Sequence, residues 1–222
     1  MDCERRFQKF LNLSCIEILK PVMVIEKFEY KSEKILEDIL KRERNIVDLI
    51  AEMKNLVSIA IETGFSAMIT QDRKLVERTR EMEEEIDIRQ YEIETECMLA
   101  TKDPEEALEL TSVIKLSSVL EEISNAIGDL LASLSRGIPV HPKILDGLKN
   151  SMGIVNYIEV GKRSKCIGKS IAELSDGVDV IGLKRDSIWT HLPKKTEAIM
   201  AGDMVVVSGK ADAVAAVCRS MK

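Results

Sequence analysis

At Ser151-Met152-Gly153 the hydrophobic period of this chain changes, and no single kind of secondary structure can carry both sides of that change. Before it, apolar residues recur every three or four positions, the spacing of one face of a helix. After it, Ile154-Val-Asn-Tyr-Ile-Glu-Val160 alternates in the manner of a half-buried strand. Charge divides at the same place: residues 151–222 carry 11 Lys and Arg against 8 Asp and Glu, net +3, while residues 1–150 carry 21 against 30, net −9. The chain therefore reads as an all-helical part followed by a mixed part.

In the first part, Ile35, Ile39, Ile46, Leu49, Ile50, Met53, Leu56, Val57, Ala60 and Ile61 mark a helix from Ser32 to about Met68, which Thr63-Gly64 bends without ending. Gln71-Asp72 supplies a turn and a cap. A second helix follows, with Leu75, Met82, Ile86, Ile93 and Cys97 facing inward. Asp103 as N-cap, Pro104 at the first helical position and two early glutamates start a third. Along it Val113, Leu116, Leu120, Ile123, Ile127, Leu130 and Leu134 alternate by three and four, which predicts a seam packed on long neighbours at a shallow angle. Arg136-Gly137 ends it, and a short helix from Pro142 to Leu148 closes the part. Residues 32–150 are expected to form an antiparallel helical bundle, with residues 1–31 unassigned.

The second part, residues 151–222, reads in the order strand, helix, three strands, helix. The elements are Ile154–Val160, a short helix over Ile167–Leu174, Val178–Arg185, a turn at Asp186-Ser187, Ile188–Leu192, an irregular stretch from Pro193 to Ala201, Met204–Val207, and a closing helix from Ala211 to Met221. Asp203 stands between Gly202 and an apolar run. Its expected work is architectural, bonding the backbone of a turn that reverses into a buried strand.

Composition removes several function classes. Aromatics are 4% of residues and net charge is −6, which disfavours stacking platforms and a nucleic-acid partner. Five cysteines (Cys3, Cys15, Cys97, Cys166, Cys218) show no CxxC spacing, so neither a zinc site nor a disulfide framework is indicated, and a reducing cytoplasm is expected. The stretch Leu11–Ile25 is broken by Glu17, Lys20 and Pro21, too short and charged to span a bilayer, so no direct membrane insertion is expected. Gly168-Lys169-Ser170 resembles the end of a P-loop, but Arg163 stands where that motif needs glycine, and Gly168 is read as opening a helix. No GxGxxG, GxSxG or HExxH occurs, and His141 and His191 stand alone. The sequence offers no chemistry for an enzyme.

"CIGKSIAEL", "VDVIGLKRD" and "LPKKTEAIMAGDMVVVSGK" resemble, over residues 152–222, the C-terminal regulatory domain of TrkA-type and RCK-type potassium-transport proteins. The resemblance implies a symmetric homodimer with a small anionic ligand at its interface, cyclic di-AMP in some bacterial members. It places Ile181, Arg185 and Pro193 at that ligand. An arginine can grip a phosphate through two parallel hydrogen bonds, and Ile and Pro offer apolar faces to a base. Arg185 equally fits an edge-strand charge beside a hairpin.

Upstream, "MEEEIDIRQYEIE" and "LEEISNAIGDLL" resemble the motif-bearing helices of PhoU-type domains over residues 32–136. The pairing of both domains resembles small archaeal proteins built from a PhoU-like bundle and a TrkA C-terminal domain. PhoU-type carboxylates spaced one turn apart can hold a divalent or trivalent metal ion; the matching residues are Glu83 and Asp87 on one helix and Glu121, Asn125 and Asp129 on the next. The other reading is a solvated acidic face with Asn125 specifying register. Together the resemblances imply a non-enzymatic cytoplasmic regulator, peripheral to the membrane through its partner, that controls a membrane cation channel or transporter, potassium above all. The alternative they leave is a metal-binding adaptor in phosphate-transport signalling.

Overall fold

The structure is a computed structural model that describes residues 45–222 apart from 139, 152, 175, 176 and 222. The segment 1–31 and the expected helix start at Ser32 lie outside the described residues. Residues Arg44–Lys222 form one compact unit.

Three long helices lead: α1 (Ile46–Thr70), α2 (Arg73–Ala100) and α3 (Pro104–Ser135). Their ends follow local chemistry. Asn45 Oδ1 accepts the Asp48 amide at 2.8 Å and caps α1, which runs unbroken through Thr63-Gly64. Gln71 turns the chain in a left-handed conformation (φ 55°), and Asp72 Oδ1 accepts the Lys74 amide at 2.8 Å to begin α2. Asp103 Oδ1 takes the amides of Glu105 and Glu106, each at 2.9 Å, at the start of α3. Leu75, Met82, Ile86, Ile93 and Cys97 are all buried along α2, as their spacing predicts.

The third helix departs from its expected seam. Ile127 is buried and Val113, Leu120 and Leu130 are half-buried, but Leu116 and Ile123 are exposed. Ser117 and Ser124, polar and therefore outside a sequence-read seam, are buried instead. Their small side chains let α3 sit close to its neighbours, and Ser117 Oγ satisfies itself on the Ile114 carbonyl at 2.8 Å. A straight helix drifts against a strict 3–4 repeat, so one rail of the apolar stripe enters the bundle and the other does not.

Helix α4 (Pro142–Ser151) leads to a sheet of β1 (Ile154–Glu159), β2 (Val178–Arg185), β3 (Ile188–His191) and β4 (Met204–Gly209), with α5 (Ile171–Leu174) between β1 and β2 and α6 (Ala211–Ser220) at the end. The strand order is β1-β4-β2-β3, antiparallel throughout. Asp186 and Ser187 (φ 48° and 68°) make the β2–β3 hairpin turn, the geometry that matches strand twist. Gly168 does not open the helix expected there: it sits in a turn at φ 82°, and the helix begins at Ile171. The backbone of 168–172 is instead tied to 195–199, with Gly168 N donating to Ile199 O and Ile171 N to Glu197 O, each at 2.9 Å.

Both faces of the sheet are covered. Ile158, Val180, Leu183, Val205 and Val207 share one core with Val214 and Val217 of α6. Val155, Ile181, Trp189 and Val206 share another with Leu49, Met53, Leu56, Ile59 and Ile86 of the bundle. A sheet covered on both sides explains why Val205-Val206-Val207 is apolar without alternation. A β-bulge at Ile181 shifts the pairing from Val180↔Val207 to Gly182↔Val206, so Ile181 and Gly182 both face the bundle. Glycine fits there without displacing its neighbour, because a Cβ on Gly182 would stand 2.9 Å from Ile59 Cδ1 of α1, which would have to shift.

Candidate functional site

Two arrangements of polar residues belong to the mixed domain. The first lies where the sheet meets the bundle. Glu85 of α2 presents one carboxylate to two donors from the sheet: Lys184 Nζ reaches Oε1 at 2.9 Å, and Trp189 Nε1 reaches Oε2 at 3.2 Å. Lys184 Nζ also stands 5.0 Å above the Trp189 ring, a cation–π contact. Tyr157 meets the same indole edge-on, centroids 6.4 Å apart, and its hydroxyl lies 2.7 Å from Thr63 Oγ1 of α1. Thr63 Oγ1 also donates to the Ile59 carbonyl at 2.7 Å, and the Tyr157 hydroxyl reaches Met82 Sδ at 3.8 Å. Burial pushes the Tyr157 phenol above its ordinary pKa. Asn55 Nδ2 donates to the Trp189 carbonyl at 3.1 Å, Ser66 Oγ accepts the Val155 amide at 2.8 Å, and His191 Nε2 stands 3.5 Å from Glu62 Oε1. None of these partners is adjacent in sequence, and sequence reasoning missed the joint. The signal available was the one tryptophan of the chain on a short strand that follows Lys184 across a tight turn.

The second arrangement is at the end of β2. Arg185 Nε and Nη2 grip Asp203 Oδ1 and Oδ2 at 2.9 and 2.7 Å, a two-pronged pair. Nη2 also donates to the Ala198 carbonyl at 2.8 Å, and Nη1 to Glu197 Oε1 at 3.3 Å. The hydrogen bond to Asp203, ahead of the nearby carboxylates, raises the Arg185 pKa further, so the guanidinium is a fixed cation. Asp203 Oδ2 accepts the Met200 amide at 2.8 Å as well, which is the turn-bonding work expected of it; its grip on Arg185 was not legible in the sequence. Of the three residues expected at a ligand, Arg185 is partly open to solvent, Pro193 is buried, and the Ile181 side chain is 4% exposed within the core shared with the bundle. The Ile181 carbonyl accepts the Leu192 amide at 2.9 Å. Leu192, Ile188 and Met200 nearby in the chain are exposed.

On the bundle, Glu83 of α2 lies against Gly128 of α3, where a Cβ would stand 2.7 Å from its Oε2. Desolvation first, then the charges of Asp87 and Asp129, raises the Glu83 pKa. Asn125 Nδ2 is turned to Glu121 Oε1 on its own helix. Among the described residues no group of three or more acidic, imidazole or thiol side chains is gathered as a metal ion would need. No helix among them is long and apolar enough to cross a membrane.

Two family models match the chain, the PhoU domain over residues 50–134 and the TrkA-C domain over residues 156–222. The chain carries a PhoU domain followed by a TrkA-C domain. No curated protein matches it. Similar solved structures include the RCK_C domain dimer of S. agalactiae BusR in complex with c-di-AMP, 24% identical, covering 30% of this chain and 93% of that one with a TM-score of 0.28. S. agalactiae BusR in complex with its busA-promotor DNA is 18% identical over 54% of this chain and 66% of that one, TM-score 0.27. The GsuK channel bound to NAD is 13% identical over 50% of this chain and 21% of that one, TM-score 0.28.

Proposed function

We propose that this chain is a non-enzymatic regulatory subunit controlling a membrane cation channel or transporter, with potassium as the ion. Its paired TrkA-C domains take a small anionic ligand, cyclic di-AMP or a compound of that kind, and its PhoU bundle passes the signal to the membrane partner. The observation that carries this reading is that one strand, β2, ends in Arg185 and also supplies Ile181 and Lys184 to the joint with the bundle. A ligand phosphate competing with Glu197 for the Arg185 Nη1 edge, the longest bond of that fork, would pull on the same strand that holds Glu85. Pro193 sits past the far end of β3 and Ile181 acts through the placement of β2, its side chain being covered by α1. Ligand binding then favours one arrangement of sheet and bundle over another. No nucleic acid enters this mechanism.

Two measurements test it. Titration of the full chain with cyclic di-AMP should give saturable binding that Arg185→Lys, which keeps the charge and loses the fork, weakens at least tenfold; equal binding by both proteins removes Arg185 from the site. A strain lacking the gene should lose control of potassium uptake. Loss of phosphate control alone, with potassium uptake intact, would move the function to phosphate signalling.

A further inference from the structure

Among the described residues an apolar rail on helix α3 is left exposed. Leu108, Leu116, Val119 and Ile123 are 75%, 48%, 46% and 39% exposed, and with the exposed Ser112 and Ala126 and the half-buried Leu130 they run along one side of the helix. From residue 108 to 130 the rail is about 33 Å long at the ordinary helical rise. An exposed apolar rail of this extent on a helix that is otherwise acidic marks an interface.

The rail has a property that selects its occupant. Measured from Val119, its members stand at −11, −7, −3, +4, +7 and +11, so reversing the helix direction maps Leu108 onto Leu130 and Ser112 onto Ala126, and brings Leu116 within one residue, about 1.5 Å, of Ile123. Self-complementarity under reversal is what a two-fold contact between identical surfaces demands. Charge agrees. Lys115 is the single cation of α3, and with Glu122 it flanks the rail on one side, both exposed. An antiparallel pair sets Lys115 beside Glu122 of the second copy, twice by symmetry, where charges flanking a helical seam decide orientation. A parallel pair would bring Glu121, Glu122 and Asp129 of both helices to the same level.

We infer that α3 is a self-pairing surface: two copies of this chain dock α3 on α3 antiparallel, across a two-fold axis at Val119. This contact is separate from any pairing of the TrkA-C domains and goes beyond the regulatory reading above. Two independent two-fold contacts per chain build an assembly larger than a dimer.

The full chain tests it. Under mild oxidation Val119→Cys should form a disulfide-linked pair well above the baseline set by the parent and its five native cysteines. Glu122→Cys, which faces Lys115 of the second copy and not itself, should stay at that baseline. By light scattering, Ile123→Glu should lower the solution mass at least twofold with an unchanged circular dichroism spectrum. Lys115→Glu should also lower it, and adding Glu122→Lys should restore it. TrkA-C pairing changes the masses of parent and variant alike, so the ratio reads α3 alone. Absence of the Val119→Cys cross-link, equal cross-linking at position 122, or a mass unmoved by Ile123→Glu would overturn the inference, as would a different protein or segment found covering the rail.

Discussion

Asp203 and Arg185 show how one residue can answer two demands. The turn before β4 needs an acceptor for the Met200 amide, and the same carboxylate, 2% exposed, needs a counter-charge that only the end of β2 can bring. Removing Arg185 leaves that carboxylate buried without its main partner. Because the guanidinium side is 27% exposed, Arg185→Ala is expected to cost about 2–3 kcal/mol, below the range for fully buried pairs. Asp203→Ala should cost a similar amount, and the double variant clearly less than the sum, which urea unfolding of all four proteins measures. Additive costs would show that the pair does not act as one unit.

At the level of elements, the bulge in β2 decides how closely α1 can lie on the sheet. Ile181 enters the shared core only because the extra residue turns it and Gly182 to the same side. Gly182→Ala should destabilise the chain by about 1–2 kcal/mol through contact with Ile59 and Val206. Ile59→Val, which removes the colliding Cδ1, should recover part of that loss when combined with it, as thermal or urea unfolding of the double variant would show. A double variant no more stable than Gly182→Ala alone would place the strain on Val206. The bulge was not legible beforehand, because the apolar run of β2 is equally compatible with regular alternation between two covered faces. Helix starts were legible, since Asp72 and Asp103 act within one turn of their own position.

For the molecule as a whole, the joint between bundle and sheet gives the TrkA-C domain a fixed contact with the PhoU domain, and the chain carries its own reporter there. Trp189 is the one tryptophan, 5% exposed and hydrogen-bonded to Glu85. Glu85→Ala should shift its fluorescence emission to longer wavelength as water reaches the indole. Saturating cyclic di-AMP should change the emission of the parent and leave that of Glu85→Ala nearly unchanged. A ligand that binds the parent without altering Trp189 would show that binding does not reach the joint.

Sequence alone determined the order of elements, the change of period at Ser151-Met152-Gly153, the capped helix starts, the Asp186-Ser187 turn and the two families, because each is written in neighbouring residues. Tertiary structure decided the rest: that both sheet faces are covered, that Ile181 is spent on the bundle, that Glu85 holds Lys184 and Trp189, and that Leu116 and Ile123 are left outside. The physical reason is that an apolar side chain records its need for burial but not the surface that meets it, and a charge records no partner about a hundred residues away.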